Sequence, residues 1–378
     1  MPGIATHHVF GTEVYRELDR LIGQSEAARQ AFLLGNLGPD PFFFLAVSPA
    51  HQRYRRLGSR MHAGDAAVLL DAIHTHMVTP VTGVGAAPGT ETLGVPDKAA
   101  AVTPEGSVGG SGGAAAVAPD GSAAEVLSGS GDTARAAAVA ATGARALALQ
   151  AERAYGLGFL CHYLLDSTAH PLVYAQQFAI AGGGVPGLHF EGPWLHRSVH
   201  ATIETEIDEY VLTSRFGTNP AEYRPHEHML RCQPDALGAV SRQMAGALGQ
   251  AYGLRVPAGL FATAVEMNRL GQRLLDSKSS GLRGRVDFFP RVDYAVAYVR
   301  ALSHSGASRA STMFANADHI PWPHPYVPGE VMDASFDELY AATFERALAV
   351  LPRFAEPGFG LRECRALTDG VSFLGKRV

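Results

Sequence analysis

Two stretches of this 378-residue chain concentrate side chains that are costly to bury and able to do chemistry. In "GFLCHYLLDSTAHP" (158–171), His162, Asp166 and His170 stand four residues apart inside an apolar run. In "HRSVHATIETEIDEYVL" (196–212) the interval recurs with His196, His200, Glu204 and Asp208. Residues four apart share one face of a helix, so each stretch predicts a ladder of imidazoles and carboxylates. An unpaired carboxylate in an apolar stripe is expensive, and hydrogen-bond donors or metal ions recover the cost. Imidazole with carboxylate, and no sulfur, is the donor set that suits zinc and its neighbours. One such ladder is more often a surface or capping pair, whereas two in similar placement favour a shared metal centre. His196 and His200 also form HxxxH, but Arg197 occupies the position where a zinc protease needs glutamate. No His-Asp dipeptide occurs, which removes phosphohydrolases built on that pair.

The elements that must position these groups read as helices. Residues 11–34 carry apolar residues at helical intervals, and "GNLGPDP" then stops the helix and presents Asp40 on a loop. A second helical stretch, 59–78, contains His62, His74 and His76. Residues 79–146 are dominated by Ala, Gly, Val, Ser, Thr and Pro, with no aromatic residue between Tyr54 and Tyr155. Such a segment buries too little surface to offset its ordering entropy, so it reads as a largely disordered insertion with an Ala-rich helix after Asp132. Its "GGSGG" (109–113) matches the nucleophile-elbow pattern only formally, because no strand precedes it and no apolar helix follows. Residues 146–170 are helical, and Pro171 is expected to end that helix. A Gly-rich loop leads to the second ladder, and further helices are expected at 234–252, 257–275 and 289–302. The last one opens with Ser335 and Glu338, a capping box. Strand alternation is absent. The expected fold is all-α: a multi-helix single domain (1–78 and 147–378) with a metal cluster in a cleft, interrupted by the low-complexity insertion 79–146.

Composition bounds the function further. The formal charge is -5 and the basic residues form no dense run, so no nucleic-acid groove is predicted. Cys161, Cys232 and Cys364 are few, odd in number and widely spaced, which argues against a disulfide framework or a CxxC metal site and suits a reducing cytoplasm. The start has neither a basic leader nor a continuous apolar core, and no later run suits a transmembrane segment. A soluble, unprocessed, cytoplasmic protein is expected; its oligomeric state is left open.

Taken in order, "THHVFG", "LLGNLGPDPFFF", the "RMH" ending at His62, "GFLCHYLLDSTAHP" and "HATIETEID" resemble the bacterial zinc-dependent phospholipase C family, related in fold to the S1/P1-type nucleases. The resemblance spans 6–78 and 155–212, with weaker echoes in "FANADHIPWPHP" and "SFDELY". It implies an all-α domain with a cluster of three zinc ions in a cleft and phosphodiester hydrolysis as the reaction. By that resemblance Asp40, His62, His162 and Asp166 form the first site, with Asp166 bridging. His170, His200 and Glu204 form the second. A third uses His7, with His8 as the fallback. Secreted members complete the third site with an N-terminal tryptophan, whereas this chain begins Met-Pro, so two or three Zn2+ ions are expected. The interval to His170 is also shorter than in the secreted enzymes.

The expected function is therefore hydrolysis of a phospholipid or small phosphodiester by metal-bound hydroxide. Two ions about 3.5–4 Å apart would clamp the phosphate oxygens in an in-line displacement. Asp40 is a ligand first and a catalytic general base second. The alternatives are an S1/P1-type nuclease and a non-catalytic zinc-stabilised scaffold. Asp208 and His196 are candidates for orienting the ligands. The "PFFF" after Asp40 reads as core more readily than as a pocket wall. His74, His76, His189, His226, His228, His304, His319 and His324 lack partners at ligand spacing and read as surface or structural.

Overall fold

The structure, a computed structural model, describes residues 3–78, 129–183, 193–275 and 312–378. The "GGSGG" match, the helix expected at 289–302, His189, His304 and residues 79–128 of the expected insertion lie outside the described residues. The chain divides into Met1–Pro80 with Ala144–Val378, and Val81–Gly143.

Among the described residues the fold is all-α apart from one small antiparallel pair, Trp322–Pro323 (β1) with Val331–Met332 (β2), and an isolated antiparallel bridge between Val371 and Arg377. The single helix expected over 11–34 is two: α1 (Ile4–Ile22) and α2 (Glu26–Gly35). They part at Gly23, whose φ of 118° only glycine adopts readily, and Ser25 restarts the helix by accepting a hydrogen bond from Ala28 N. Because α1 begins at Ile4, His7 and His8 are helical residues buried in its first turns. Asp40 heads a 3-10 helix, Asp40–Val47, rather than lying on an open loop. The stretch 59–78 also divides, into α3 (Leu57–Ala63) and α4 (Ala66–Val78).

The largest departure concerns α5, which runs Gly129–Gly183 and passes straight through Pro171. Proline removes one backbone hydrogen bond and costs about 3 kcal/mol inside a helix. Here Ala169, His170, Leu172 and Val173 are all buried, and burying Leu172 and Val173 alone returns about 1.5–3 kcal/mol each. Packing therefore carries the helix past its own stop signal. Between Ala151 and Val173 α5 is buried on nearly every side, as a central core helix must be. It crosses α2 so closely that a Cβ on Gly158 would lie 2.1 Å from Phe32 O and one on Gly35 2.3 Å from Tyr155 O.

The other described helices are α6 (Pro193–Phe216), the short α7 (Pro220–Tyr223) and α8 (Pro225–His228), α9 (Pro234–Tyr252), α10 (Leu260–Leu275), α11 (Phe336–Phe354) and α12 (Leu361–Thr368). The Ser335–Glu338 capping box is formed in full at the start of α11. α1 packs on α2, α6 and α11; α4 packs on α9 and α12; α10 covers the 3-10 helix that starts at Asp40. No helix among the described residues is long and apolar enough to cross a membrane.

Candidate metal centre

Asp166 sits at the middle of the core with no exposed surface, and imidazoles from three helices face its carboxylate. His7 of α1 places Nε2 3.1 Å from Oδ1. His162, one turn earlier on α5, places Nε2 3.1 Å from Oδ2, and His62 of α3 approaches the same oxygen at 3.5 Å. His170 Nδ1 lies 3.8 Å away. Asp40 joins from the 3-10 helix, its Oδ1 3.1 Å from His62 Nε2 and 3.7 Å from His162 Nε2. Beyond His170 stand the α6 residues, with His200 Nε2 2.8 Å and His170 Nε2 3.8 Å from Glu204 Oε1.

Among the described residues, donor atoms thus gather in three groups: His7, His162 and Asp166; Asp40, His62 and His162; and His170, His200 and Glu204. Within each group they lie within 4.8 Å of one another. All eight residues expected as ligands belong to these groups, and His162 belongs to two. His8, the fallback for the third site, does not join. Its ring turns to α7, where Nδ1 hydrogen-bonds with the Tyr223 hydroxyl.

Backbone carbonyls set the ring orientations. Nδ1–H of His62 donates to Gly58 O at 2.8 Å, that of His162 to Asn36 O at 3.0 Å, and that of His170 to Phe373 O at 2.6 Å. With the proton on Nδ1, each Nε2 offers its lone pair toward the cluster. His200 Nδ1 is held differently, by the Gln177 side chain at 2.7 Å. Gly38 lets the chain pass the His162 ring: its φ is +49°, and a Cβ there would sit 2.3 Å from His162 Cδ2.

Electrostatics agree with a cation site. Burial lowers the pKa of His7, reinforced by His162, drives His170 down to about 3 and holds His200 well below its ordinary value, leaving neutral imidazoles. Burial opposes the charge on Asp166, yet His162 and His170 outweigh it and hold the carboxyl well below the usual range. For His62 burial opposes protonation, but Asp166 and Asp40 overcome it and lift the pKa to about 9. In the metal-free chain a proton on His62 partly meets the demand for positive charge.

The fit to a metal rests on atoms left over. His7 Nδ1, both Asp40 oxygens, His62 Nε2, His162 Nε2, Asp166 Oδ2 and His170 Nε2 are buried without a hydrogen-bond partner. Each such atom costs about 1–3 kcal/mol, too much to gather in one place unless a ligand recovers it. Nitrogen and oxygen donors in groups of three match zinc, and these residues could hold two or three ions.

Several residues that matter here were not singled out from the sequence. Gln177 continues the His162–Asp166–His170 stripe two turns on, but expecting the helix to end at Pro171 hid it. Phe373, in the C-terminal tail, supplies the carbonyl for His170 and packs its ring 5.6 Å from that of His62 and 5.8 Å from that of His162. No spacing rule connects residue 373 to residue 62. Asp208 accepts from Ala5 N, Thr6 N and Thr6 Oγ1 and so anchors the first turn of α1, which carries His7. The "PFFF" run divides. Phe42 is core against Phe261, while half-buried Phe43 lies 5.1 Å from the His62 ring. Of the remaining histidines, His74 is tied to Glu356 O at 3.0 Å and His324 Nδ1 accepts from Tyr326 N and Val327 N, both structural roles.

No curated protein and no solved structure gives a significant match to the chain. The profile of the family described as zinc dependent phospholipase C matches residues 6–236, a span that holds every residue of the three donor groups. With more than half of its length matched in this way, the chain belongs to the zinc-dependent phospholipase C family.

Proposed function

We propose that the protein hydrolyses the phosphodiester bond of a phospholipid or a smaller phosphodiester at this centre, with His7, Asp40, His62, His162, Asp166, His170, His200 and Glu204 as its metal ligands. The observation that carries the reading is the set of buried nitrogen and oxygen atoms that converge without hydrogen-bond partners. Zinc held there would supply a Lewis acid for the phosphoryl oxygens and lower the pKa of a water. The chain's own contribution is positional. Carbonyls of Gly58, Asn36 and Phe373 aim three imidazoles, and Asp166 lies between two of the donor rings, Oδ1 3.1 Å from His7 Nε2 and Oδ2 3.1 Å from His162 Nε2. Asp40 is the residue through which a proton would leave: its Oδ1 lies 3.1 Å from His62 Nε2, and both carboxylate oxygens are buried without a hydrogen-bond partner. Half-buried Phe43 beside His62 and Tyr174 beside His200 offer apolar surface next to the reacting group. The cytoplasmic location stays in this reading because the three cysteines are unpaired.

The test is reconstitution. Protein stripped by a chelator and reloaded with zinc should regain hydrolysis of a chromogenic phosphodiester. Phosphatidylcholine should be turned over in preference to single-stranded DNA. Hydrolysis indifferent to chelation would overturn the reading, and a preference for DNA would reassign it to nuclease chemistry.

A further inference from the structure

The histidines of the centre are not held alike. His62, His162 and His170 donate Nδ1–H to backbone carbonyls, groups that can only accept and therefore impose one tautomer. His200 instead meets a side-chain amide, which can accept through its oxygen or donate through its nitrogen. Gln177 is 5% exposed, and both of its polar ends are engaged: Oε1 accepts from His200 Nδ1 at 2.7 Å, and Nε2 lies 3.1 Å from His196 Nδ1.

The orientation of that amide has a chemical consequence. With Oε1 on His200, the imidazole keeps its proton on Nδ1 and turns the Nε2 lone pair toward Glu204, 2.8 Å away. Reversed, the amide would donate to Nδ1 and move the proton to Nε2, removing one lone pair from the group His170, His200 and Glu204. His196 Nδ1 lies 3.1 Å from Gln177 Nε2, and in the tautomer that accepts there it holds the amide nitrogen and leaves Oε1 for His200. We propose that Gln177, oriented by His196, is a positioning residue that fixes the ligand-competent tautomer of His200. The proposal rests on the metal-centre reading above and assigns the side chain that tunes one of its sites.

The test is zinc titration of the full chain against a competing chromogenic chelator, comparing wild type, Gln177→Leu and Gln177→Glu, with metal-free melting curves for each. Gln177→Leu should weaken one equivalent of zinc about 10–100-fold and leave the others as in wild type. Gln177→Glu keeps an acceptor for the same Nδ1–H and should bind that equivalent at least as tightly as wild type. If Gln177→Leu binds every equivalent with wild-type affinity, or Gln177→Glu weakens as much as Gln177→Leu, the proposal fails, since loss of packing alone would treat both variants alike. Should Gln177→Leu not fold, a loss of affinity in Gln177→Glu overturns the proposal by itself. Wild-type protein that takes up no zinc would instead overturn the metal-centre reading, so the two failures are distinct.

Discussion

At Asp166 a single buried carboxylate faces His7 from α1, His62 from α3, and His162 and His170 from its own helix. Asp166→Asn keeps the shape and removes the charge, leaving His62 with less to hold its proton. The variant should lose zinc from the groups fed by α1 and α3 and lose about 3–5 kcal/mol of stability. Elemental analysis with denaturant unfolding checks both, and a wild-type zinc content would refute the central role of this carboxylate. Glu152, elsewhere on α5, gives a prediction that does not depend on metal. Burial lifts its carboxyl to about 7, with Arg242 opposing. Since the folded-state pKa lies above the unfolded value of 4.5, the contribution is fully present below about pH 4.5 and is lost as pH rises through 7. Glu152→Gln should therefore be nearly neutral at pH 5 and stabilising by about 1 kcal/mol at pH 8, once solvent screening is allowed for. Unfolding curves at the two pH values decide it; equal effects at both would show that the carboxylate is already compensated.

At the scale of elements, the centre depends on contacts that tie chain ends to it. The first turn of α1 hangs on Asp208 of α6 through three hydrogen bonds. Asp208→Ala should cost about 1–3 kcal/mol, the loss of a cap with buried donors left behind. It should loosen zinc at His7 while His200 and Glu204 keep theirs. Zinc titration separates the two, and uniform retention would show that α1 is held by its packing on α2, α6 and α11 alone. The C-terminal tail reaches the same centre from another direction. Phe373 is fully buried, T-shaped against Tyr163 at 5.1 Å and Phe159 at 6.0 Å, and tilted against His62 and His162. Phe373→Ala should destabilise by about 3–5 kcal/mol, the usual cost of an aromatic cavity, and lower zinc affinity with it. A destabilised variant with undiminished zinc affinity would show that the ring only fills space.

Across the whole molecule, the donors come from α1, the 3-10 helix at Asp40, α3, α5 and α6. A ligand that binds these elements only when they are assembled stabilises the folded state by mass action, about 4 kcal/mol per ion at a free concentration of about 1,000 times Kd. Zinc-loaded protein should therefore melt well above chelated protein, with Tm rising further as free zinc is raised. A melting temperature unmoved by chelator would mean that the donors do not share ions.

The two ladders were legible in the sequence because an α-helix puts every fourth residue on one face, so His162, Asp166 and His170, and His200 with Glu204, are local facts of helical geometry. The all-α class followed from the same periodicity. Asp40, His62 and His7 came only by likeness to a family, since nothing in local spacing relates them to residue 166. Tertiary structure alone decided the rest. It carried α5 through Pro171, because burial of the flanking residues outweighs one missing hydrogen bond, and in doing so it delivered Gln177 to His200. It brought Phe373 beneath rings from α3 and α5, and turned Asp208 from a helix-face residue into the anchor of α1. Local periodicity fixes which way a side chain points from its own helix; which groups then meet is settled by long-range packing, where the burial energies are larger than any local preference.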